Sequence, residues 1–599
     1  MSDLELDYAP HPVAAEGPES EAARVARMRH SAAHLMAGAV LKMFPEARFG
    51  IGPAIEDGFY YDFELPRALT PDDLAEIEAR MAADQAANYP YQYAVVSRAE
   101  ALDLFKDQPY KVELIENLPE DATISTYQHG QFRDLCRGPH VPSTGAVGAF
   151  KLLNVAGAYW RGDEHRPMLQ RIYGTAFPSQ EALDQYLWRR AEAEKRDHRK
   201  LGKELELFHF DPTAPGMPYW LPKGFKVLTE LINFWRMEHE DRGYQEISAP
   251  LINDKSLWET SGHWDHYKEN MFVIPVDENV TYGVKPMNCP NAMVVFKLKT
   301  RSYRDLPLRL ADCDVLHRHE RSGTLHGLLR VQKIQQDDAH IFLAEDQLED
   351  EFARILEIAD LFYSIFGLKY TLRMGTRPAK FIGDIETWDK AEATLTRILE
   401  QHAGPGNYLI EPGDGAFYGP KIDILMEDAL GRSWQMGTIQ LDFQQPRRFG
   451  CVYVDKEGRQ QTPVVIHRVI YGSLERFLGI LIEHLAGAFP LWLSPVQAVI
   501  IPISTVKHLE YAEEVRARLK AVRLRVELDD SSERMGAKIR QAQLQKVPYM
   551  LVVGDKEREA GTVSVRLRSG ADLGALPVDA LIARMQAEIA SRALTSAAS

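Results

Sequence analysis

The apolar positions of this chain change period several times, and each change marks an element. From Ala22 they fall at helical spacing, in a helix that carries His30 and His34. Beyond Phe49-Gly50-Ile51-Gly52-Pro53, the run Phe59-Tyr60-Tyr61-Asp62-Phe63 reads as a strand. Pro71 to Ala87 then returns to helical period as an acidic amphipathic helix. Glu181 to Lys203 contains no proline and predicts one long charged helix joining two blocks. The end of the chain alternates: strand-like Val496 to Ile501, a helix over Glu510 to Leu519, a strand at Leu524 to Leu528, another helix, then the strand Tyr549-Met550-Leu551-Val552-Val553. Strands that alternate with helices predict a small α/β domain there.

Length changes the picture first. At 599 residues the chain is too long for a single core. The pattern divides it into a disordered tail (1–21), a first block (22–180), the charged linker helix (181–203), a central block (204–494) and the α/β domain (495–599). The tail is acidic and rich in Ala and Pro, too poor in large apolar groups to order itself. Hydrophobic residues make up 45%, and no apolar run is long enough to span a bilayer, so no membrane association is expected. Four cysteines (Cys136, Cys289, Cys313, Cys451) argue for a reducing cytoplasmic setting and against a disulfide framework. A net charge of -16 is unpromising for a nucleic-acid partner but leaves room for a local basic face. Arg189-Arg190, Lys195-Arg196, His198-Arg199-Lys200 and Lys203 could form such a face or simply a solvated helix surface.

Chemistry concentrates in one stretch of the central block. Leu316-His317-Arg318-His319-Glu320 is followed by Gly323-Thr324-Leu325-His326-Gly327-Leu328-Leu329-Arg330 and ends on Gln336-Asp337-Asp338-Ala339-His340. This predicts two antiparallel strands joined by a polar loop. A planar arginine there can hold a carboxylate and a phosphate at once. The composite resembles motif 2 of the class II aminoacyl-tRNA synthetases, and its Gln-Asp-Asp-Ala-His ending resembles the threonyl branch. Trp235 to Ala249-Pro250-Leu251 is similar to motif 1, a helix and strand that build the family's dimer interface. Gly472-Ser473-Leu474-Glu475-Arg476-Phe477 is similar to motif 3, and the resemblance runs in order from about Arg27 to Arg592. It implies an α+β editing domain, an antiparallel-sheet catalytic domain and a C-terminal α/β anticodon-binding domain.

The resemblance also implies roles. Arg318, Arg476 and Lys421 are the expected catalytic residues, with Arg318 on carboxylate and α-phosphate and Arg476 on the terminal phosphate of ATP. Glu320, which would face the adenine amine, joins Arg330, Gln336, Asp338, Tyr418, Gln435, Gln440 and Ser473 as substrate-binding candidates. Cys289, His340 and His467 match the family's zinc ligands, one ion per subunit; their scattered spacing alone would leave a buried thiol and two satisfied histidines as the default. Three ligands leave zinc an open position for substrate. A threonine enzyme needs it, because an apolar pocket separates threonine from valine only about a hundredfold. The expected partners are ATP with Mg²⁺, L-threonine, tRNA(Thr) and a second copy of the chain.

Serine lacks only a methyl relative to threonine, a difference of about 1–3 kcal/mol, so a second hydrolytic site is expected. His30 and His34 lie one helical turn apart, and Cys136 and His140 supply two more donors of the same type. Taken singly, each pair reads as incidental. Together they resemble the editing site shared by threonyl and alanyl enzymes, with Lys111 beside it; four such residues could equally chelate zinc. Glu559 and Arg568 match anticodon-facing positions. The match departs from the family at Ile334, where a Phe commonly stacks on adenine, and at Asn291-Ala292, where Gly-His is common. A small extra N-terminal domain carried by many relatives is expected to be missing. The rival reading is a regulatory descendant that has lost aminoacylation, which the presence of both motif arginines and the metal ligands disfavours.

Overall fold

The computed structural model of the chain describes residues 20–321 and 323–597, which fold as two compact units divided between Ala191 and Glu192. Most of the expected tail lies outside the described residues. The first helix, α1 (Glu21–Met43), starts where the Ser20 hydroxyl accepts the Ala23 N–H at 3.2 Å.

In the first unit α1 buries Leu35, Met36 and Val40 against Phe59, Tyr61 and Phe63 of β1 (Gly58–Glu64). Each such fully buried side chain contributes about 1.5–3 kcal/mol. Helix α2 (Pro71–Ala87) has the predicted bounds. Pro71 sits at its first turn, Thr70 and Asp73 form a capping box, and Asn88 ends it in the left-handed conformation. Two antiparallel sheets complete the unit. One holds β2 (Gln92–Val96), β3 (Ile124–His129) and β4 (Phe132–Leu135). The other pairs β1 with β6 (Met168–Phe177), and β6 with β5 (Ala149–Tyr159). A further helix, α3 (Pro109–Glu116), carries Lys111 on its buried side.

The predicted single helix from Glu181 to Lys203 is two helices. Gln180–Arg196 ends before Asp197, whose carboxylate caps a new helix, α4 (His198–Glu204), by accepting the Arg199 N–H at 2.8 Å. The proposed basic face is corrected in the same place: Arg189, Arg190, Lys195, Arg199, Lys200 and Lys203 are exposed, but His198 is fully buried.

The second unit is built on a nine-stranded sheet. Its central run is antiparallel: β7 (Leu308–Asp312), β8 (Lys333–Leu343), β12 (Val464–Ser473), β11 (Ser433–Asp442), β10 (Lys421–Glu427) and β9 (Lys369–Gly375). The expected hairpin is present: Val315–His317 pairs antiparallel with β8, with Val315 opposite Gln335 and His317 opposite Lys333. The motif 1 segment is a helix, Pro222–Glu240, followed by a short strand, Gln245–Glu246, paired parallel to β7. Helix α5 (Leu474–His484) leaves β12 directly, and Trp235, Phe352, Phe362, Ile470 and Phe477 share the core beneath the sheet. Residues from Ala498 form a second sheet. Three parallel strands, Val526–Leu528, Ala498–Pro502 and Tyr549–Val553, continue into the antiparallel pair Thr562–Leu567 and Asp572–Pro577. This is the predicted α/β alternation with an antiparallel edge.

Candidate functional site

Antiparallel pairing gathers the distant candidates of the second unit. His340 stands directly opposite His467, Gln440 also faces His467, and Gln336 faces Ser473, and directly opposed residues share one face of a sheet. Cys289 joins them from the first turn of the helix Cys289–Phe296. One ligand atom from each of Cys289, His340 and His467 lies within 4.8 Å of the other two, and all three residues are buried. His467 places Nε2 2.8 Å from Asp442 Oδ2, which turns its Nδ1 inward. Nδ1 of His467 and Nδ1 of His340 are buried without a hydrogen-bond partner. Two orphaned imidazole nitrogens beside a thiol, one ring braced by a carboxylate, fit a zinc ion. Burial pushes the Cys289 thiol up, and Asp338 and Asp442 add to the shift; a cation at this place would reverse it.

Asp338 lines the same pocket, with Oδ1 4.0 Å from His340 Nε2 and Oδ2 accepting from Asn288 Nδ2 at 3.2 Å. The Tyr418 hydroxyl donates to Gln440 Oε1. His263, which sequence reasoning missed, is buried with Nε2 3.9 Å from Cys289 Sγ. It supplies an imidazole where Asn291-Ala292 had implied the loss of one. Nothing local in Ser261-Gly262-His263 signals this.

The arginines stand together at the motif 2 and motif 3 ends. Arg318 donates from Nε to the Pro286 carbonyl at 3.1 Å and lies over the Tyr267 ring. Arg476 donates from Nε to the Leu329 carbonyl at 2.9 Å. Its pKa is lowered first by burial, then by the neighbouring charges of Arg330 and Arg318. So crowded a cationic site is ready for an anion. Glu320 is held by Arg330, at 3.0 Å from Nε and 2.8 Å from Nη2. Ser473 caps α5, accepting the Arg476 N–H at 3.2 Å. Lys421 and Gln435 meet beside them: Lys421 Nζ is 3.0 Å from both Asp414 and Asp423, Gln435 donates to Asp423 at 2.7 Å, and its backbone carbonyl accepts from Arg476 Nη1 at 3.4 Å. Arg373, also missed, completes that network at 2.9 Å from Asp423. Asp337, unremarked in the sequence, accepts the backbone N–H groups of Ile470, Tyr471 and Gly472 at 3.0, 3.0 and 2.8 Å.

In the first unit His30, His34, Cys136 and His140 converge, again within 4.8 Å by ligand atom. Three of these donors bind one another, while Nδ1 of His34 is buried without a partner. Cys136 Sγ lies 3.4 Å from His30 Nε2 and 3.3 Å from His140 Nε2, and His140 Nδ1 meets the Ser31 hydroxyl at 3.0 Å. Burial pulls His30 down to about 4, and His34 and His140 well below their ordinary value, so all three are neutral. It pushes Cys136 up to about 12, a protonated thiol. Lys111 stands behind them, 2.6 Å from Asp134 and 2.9 Å from the Tyr61 hydroxyl, which itself donates to Asp134. Asp134 and Tyr61 were not singled out in the sequence, and pairing with the buried lysine is their only signal.

The two anticodon-side candidates separate. Glu559 is exposed on the short helix Asp555–Ala560, whereas Arg568 turns inward and donates to the carbonyls of Phe489 and Lys546 at 2.9 and 2.8 Å.

Comparison with known proteins agrees with this geometry. The family model described as "tRNA synthetase class II core domain (G, H, P, S and T)" matches residues 269–485, and that for "Anticodon binding domain" matches 497–588. The "Threonyl and Alanyl tRNA synthetase second additional domain" matches 124–173. A threonine–tRNA ligase of Desulforamulus reducens is 52% identical over 94% of this chain and 89% of its own length. One from Caldanaerobacter subterraneus is 53% identical over 94% and 87%. The crystal structure of the RNA binding domain of threonyl-tRNA synthetase from Cryptosporidium parvum is similar with a TM-score of 0.63 and 43% identity, over 67% of this chain and all of that one. The chain therefore belongs to the threonine–tRNA ligase family of class II aminoacyl-tRNA synthetases, with a catalytic core, an anticodon-binding domain and an editing-type domain.

Proposed function

We propose that this chain ligates L-threonine to tRNA(Thr) through a threonyl-adenylate, and that its first unit hydrolyses mischarged seryl-tRNA. The observation that carries the first part is the buried Cys289–His340–His467 set, with two imidazole nitrogens unpartnered beside Asp338. A zinc ion held there would take the amino nitrogen and side-chain hydroxyl of threonine together, which valine cannot match. Asp338 accepts from the same hydroxyl, and Tyr418 approaches the amino group. Arg318 forks the substrate carboxylate and the α-phosphate of Mg²⁺-bound ATP, so the carboxylate oxygen meets phosphorus in line with departing pyrophosphate. Arg476 holds the terminal phosphate. Glu320 takes the adenine amine and in doing so exchanges its present partner, Arg330. Lys421 and Gln435, braced by Asp423, border the nucleotide side.

At the first unit, neutral His30, His34 and His140 and the protonated Cys136 surround the ester and hold the attacking water. A neutral imidazole can take that water's proton. The Lys111–Asp134–Tyr61 network fixes the floor of the site. The motif 1 helix and strand form a homodimer interface, Glu559 faces the anticodon, and the enzyme works in the cytoplasm.

ATP–pyrophosphate exchange measured across the amino acids tests the reading, alongside hydrolysis of preformed seryl-tRNA. Threonine should drive exchange far above valine, with serine intermediate, and seryl-tRNA should disappear faster than it does spontaneously. Equal exchange with valine would overturn the metal pocket, and unaccelerated hydrolysis would overturn the editing site.

A further inference from the structure

One buried cluster has no place in the reaction so far: Asp197, His198 and Glu483, which have ligand atoms as close together as those of the proposed zinc site. It cannot take a metal through the imidazole, because both ring nitrogens are in use. His198 Nδ1 is 2.7 Å from Glu483 Oε1, and Nε2 is 3.0 Å from the backbone nitrogen of Leu328. A backbone N–H can only donate, so Nε2 is the acceptor and the ring proton sits on Nδ1, shared with Glu483. Glu483 fixes that tautomer: the same oxygen accepts the His198 backbone N–H at 3.1 Å, and its other oxygen binds Arg432.

The Leu328 N–H belongs to the turn that closes the motif 2 loop. His326 and Arg330 exchange backbone hydrogen bonds across it at 3.2 and 3.3 Å. Its next residue, Leu329, offers the carbonyl that holds Arg476 Nε at 2.9 Å, and Arg330 ends it. Gly327 passes so close to the imidazole that a Cβ there would stand 2.2 Å from His198 Nε2, with φ +49 besides. One histidine on α4 thus ties α5, through Glu483, to the turn that orients the phosphate-side arginines.

We infer that His198 is a positioning residue for ATP: it holds the 326–330 turn so that the Leu329 carbonyl aims Arg476 at the terminal phosphate. This rests on the reading of Arg476 as a phosphate ligand. Removal of the acceptor leaves a buried Leu328 N–H unpaired, and the turn shifts to satisfy it.

Isosteres separate the two bonds. In His198→Asn the amide nitrogen stands near Nδ1, keeping Glu483 and losing Leu328; in His198→Gln the amide end stands near Nε2, keeping an acceptor for Leu328 and losing Glu483. In pyrophosphate exchange with the full chain, His198→Asn should raise KM for ATP about tenfold with KM for threonine unchanged, and His198→Gln should raise it much less. Both should lower the melting temperature. If the two variants shift KM for ATP equally, or lose only active fraction with KM unmoved, His198 merely holds the fold and the inference is wrong. Should His198→Asn not fold, Gly327→Ala displaces the imidazole from the other side and must give the same selective rise. Arg476→Ala separates the two ideas. A raised KM for ATP there but not in His198→Asn overturns the positioning role alone, while an unchanged KM in Arg476→Ala overturns the phosphate assignment and this inference with it.

Discussion

The two histidine–cysteine clusters are made of the same donors and are braced differently. In the first unit three of the four donors satisfy each other: Cys136 bridges His30 and His140, and His140 reaches Ser31, while Nδ1 of His34 is buried without a partner. Among the described residues no carboxylate lies within hydrogen-bonding distance of these imidazoles; the nearest, Asp134, stands 3.7 Å from His34 and is occupied by Lys111 and Tyr61. In the second unit His467 is braced by Asp442, and the inward nitrogens of both imidazoles meet no partner. Donor type is therefore a poor guide to metal binding. What braces the donors tells the clusters apart: only in the second does a carboxylate at hydrogen-bond distance hold one ring while a nitrogen of each imidazole stays unpartnered, as the proposed zinc site requires.

The sharpest way to break this contrast is metal analysis paired with exchange. Cys289→Ala should lose stoichiometric zinc and threonine-dependent exchange together, whereas Cys136→Ala should keep both. Zinc lost from Cys136→Ala instead would reverse the assignment of the two clusters.

Arg318→Ala should slow adenylate formation by about 10³-fold, since one guanidinium serves both the bound carboxylate and the developing phosphate charge. Arg318→Lys should fail to restore it, because an ammonium cannot fork between two acceptors. A lysine variant with near-normal exchange would show that Arg318 acts as a point charge only.

Lesions in the first cluster should leave synthesis intact. His30→Ala or His34→Ala should cut seryl-tRNA hydrolysis by about 10²-fold or more, with threonine charging near wild type. A parallel fall in charging would mean that the two activities are not separable. In the second cluster, Asp442→Asn keeps all three donors and should weaken zinc binding about 10–100-fold, read by competition with a chelator.

The smallest effect is on stability against pH. Burial holds His30 at about 4 against an ordinary 6.5, so the unfolded chain takes up a proton first as the pH falls. Stability should be full above about pH 6.5 and decline down to about pH 4, losing about 2 kcal/mol from His30 alone by pH 5. His30→Gln should flatten this slope in urea unfolding followed from pH 7 to pH 5; an unchanged slope would mean that His30 is not neutral in the folded state.

Local signals carried most of the fold. Pro71 and the Thr70–Asp73 box bound a helix that was legible to the residue, and Tyr549–Val553 has the bounds its apolar run implied. The linker failed because Asp197 reads as one more charge in a charged helix. Only its side chain turning back to cap Arg199 makes it a break. For the site, the family resemblance reached Arg318, Arg476 and the candidate zinc donors, which spacing alone would not have found, but not their supports. Asp442, His263, Asp134 and Tyr61 matter through partners tens of residues away, across strand pairs that no local pattern specifies. Arg568 shows the converse: a position matched by resemblance whose Nη1 the fold also ties to the carbonyls of Phe489 and Lys546, a contact no local pattern announces.

Asp337 sits where β8 and β12 fall out of step. Between the pairs Asp338↔Val469 and Gln336↔Ser473, β8 advances by one intervening residue and β12 by three, and the Asp337 carboxylate collects the N–H groups of those three. The surplus of β12 is even, so parity survives it: His467 and Ser473 face the same side, and the corners proposed for the metal and for the phosphates lie on one face of the sheet. Loss of a single residue among 470–472 would send one corner to the far side of the sheet. Loss of two would keep both corners and strand Asp337 with a charge and too few donors. Length in this segment is thus under a stricter constraint than the identity of its residues, and a family built on it should vary its side chains here before it varies its spacing.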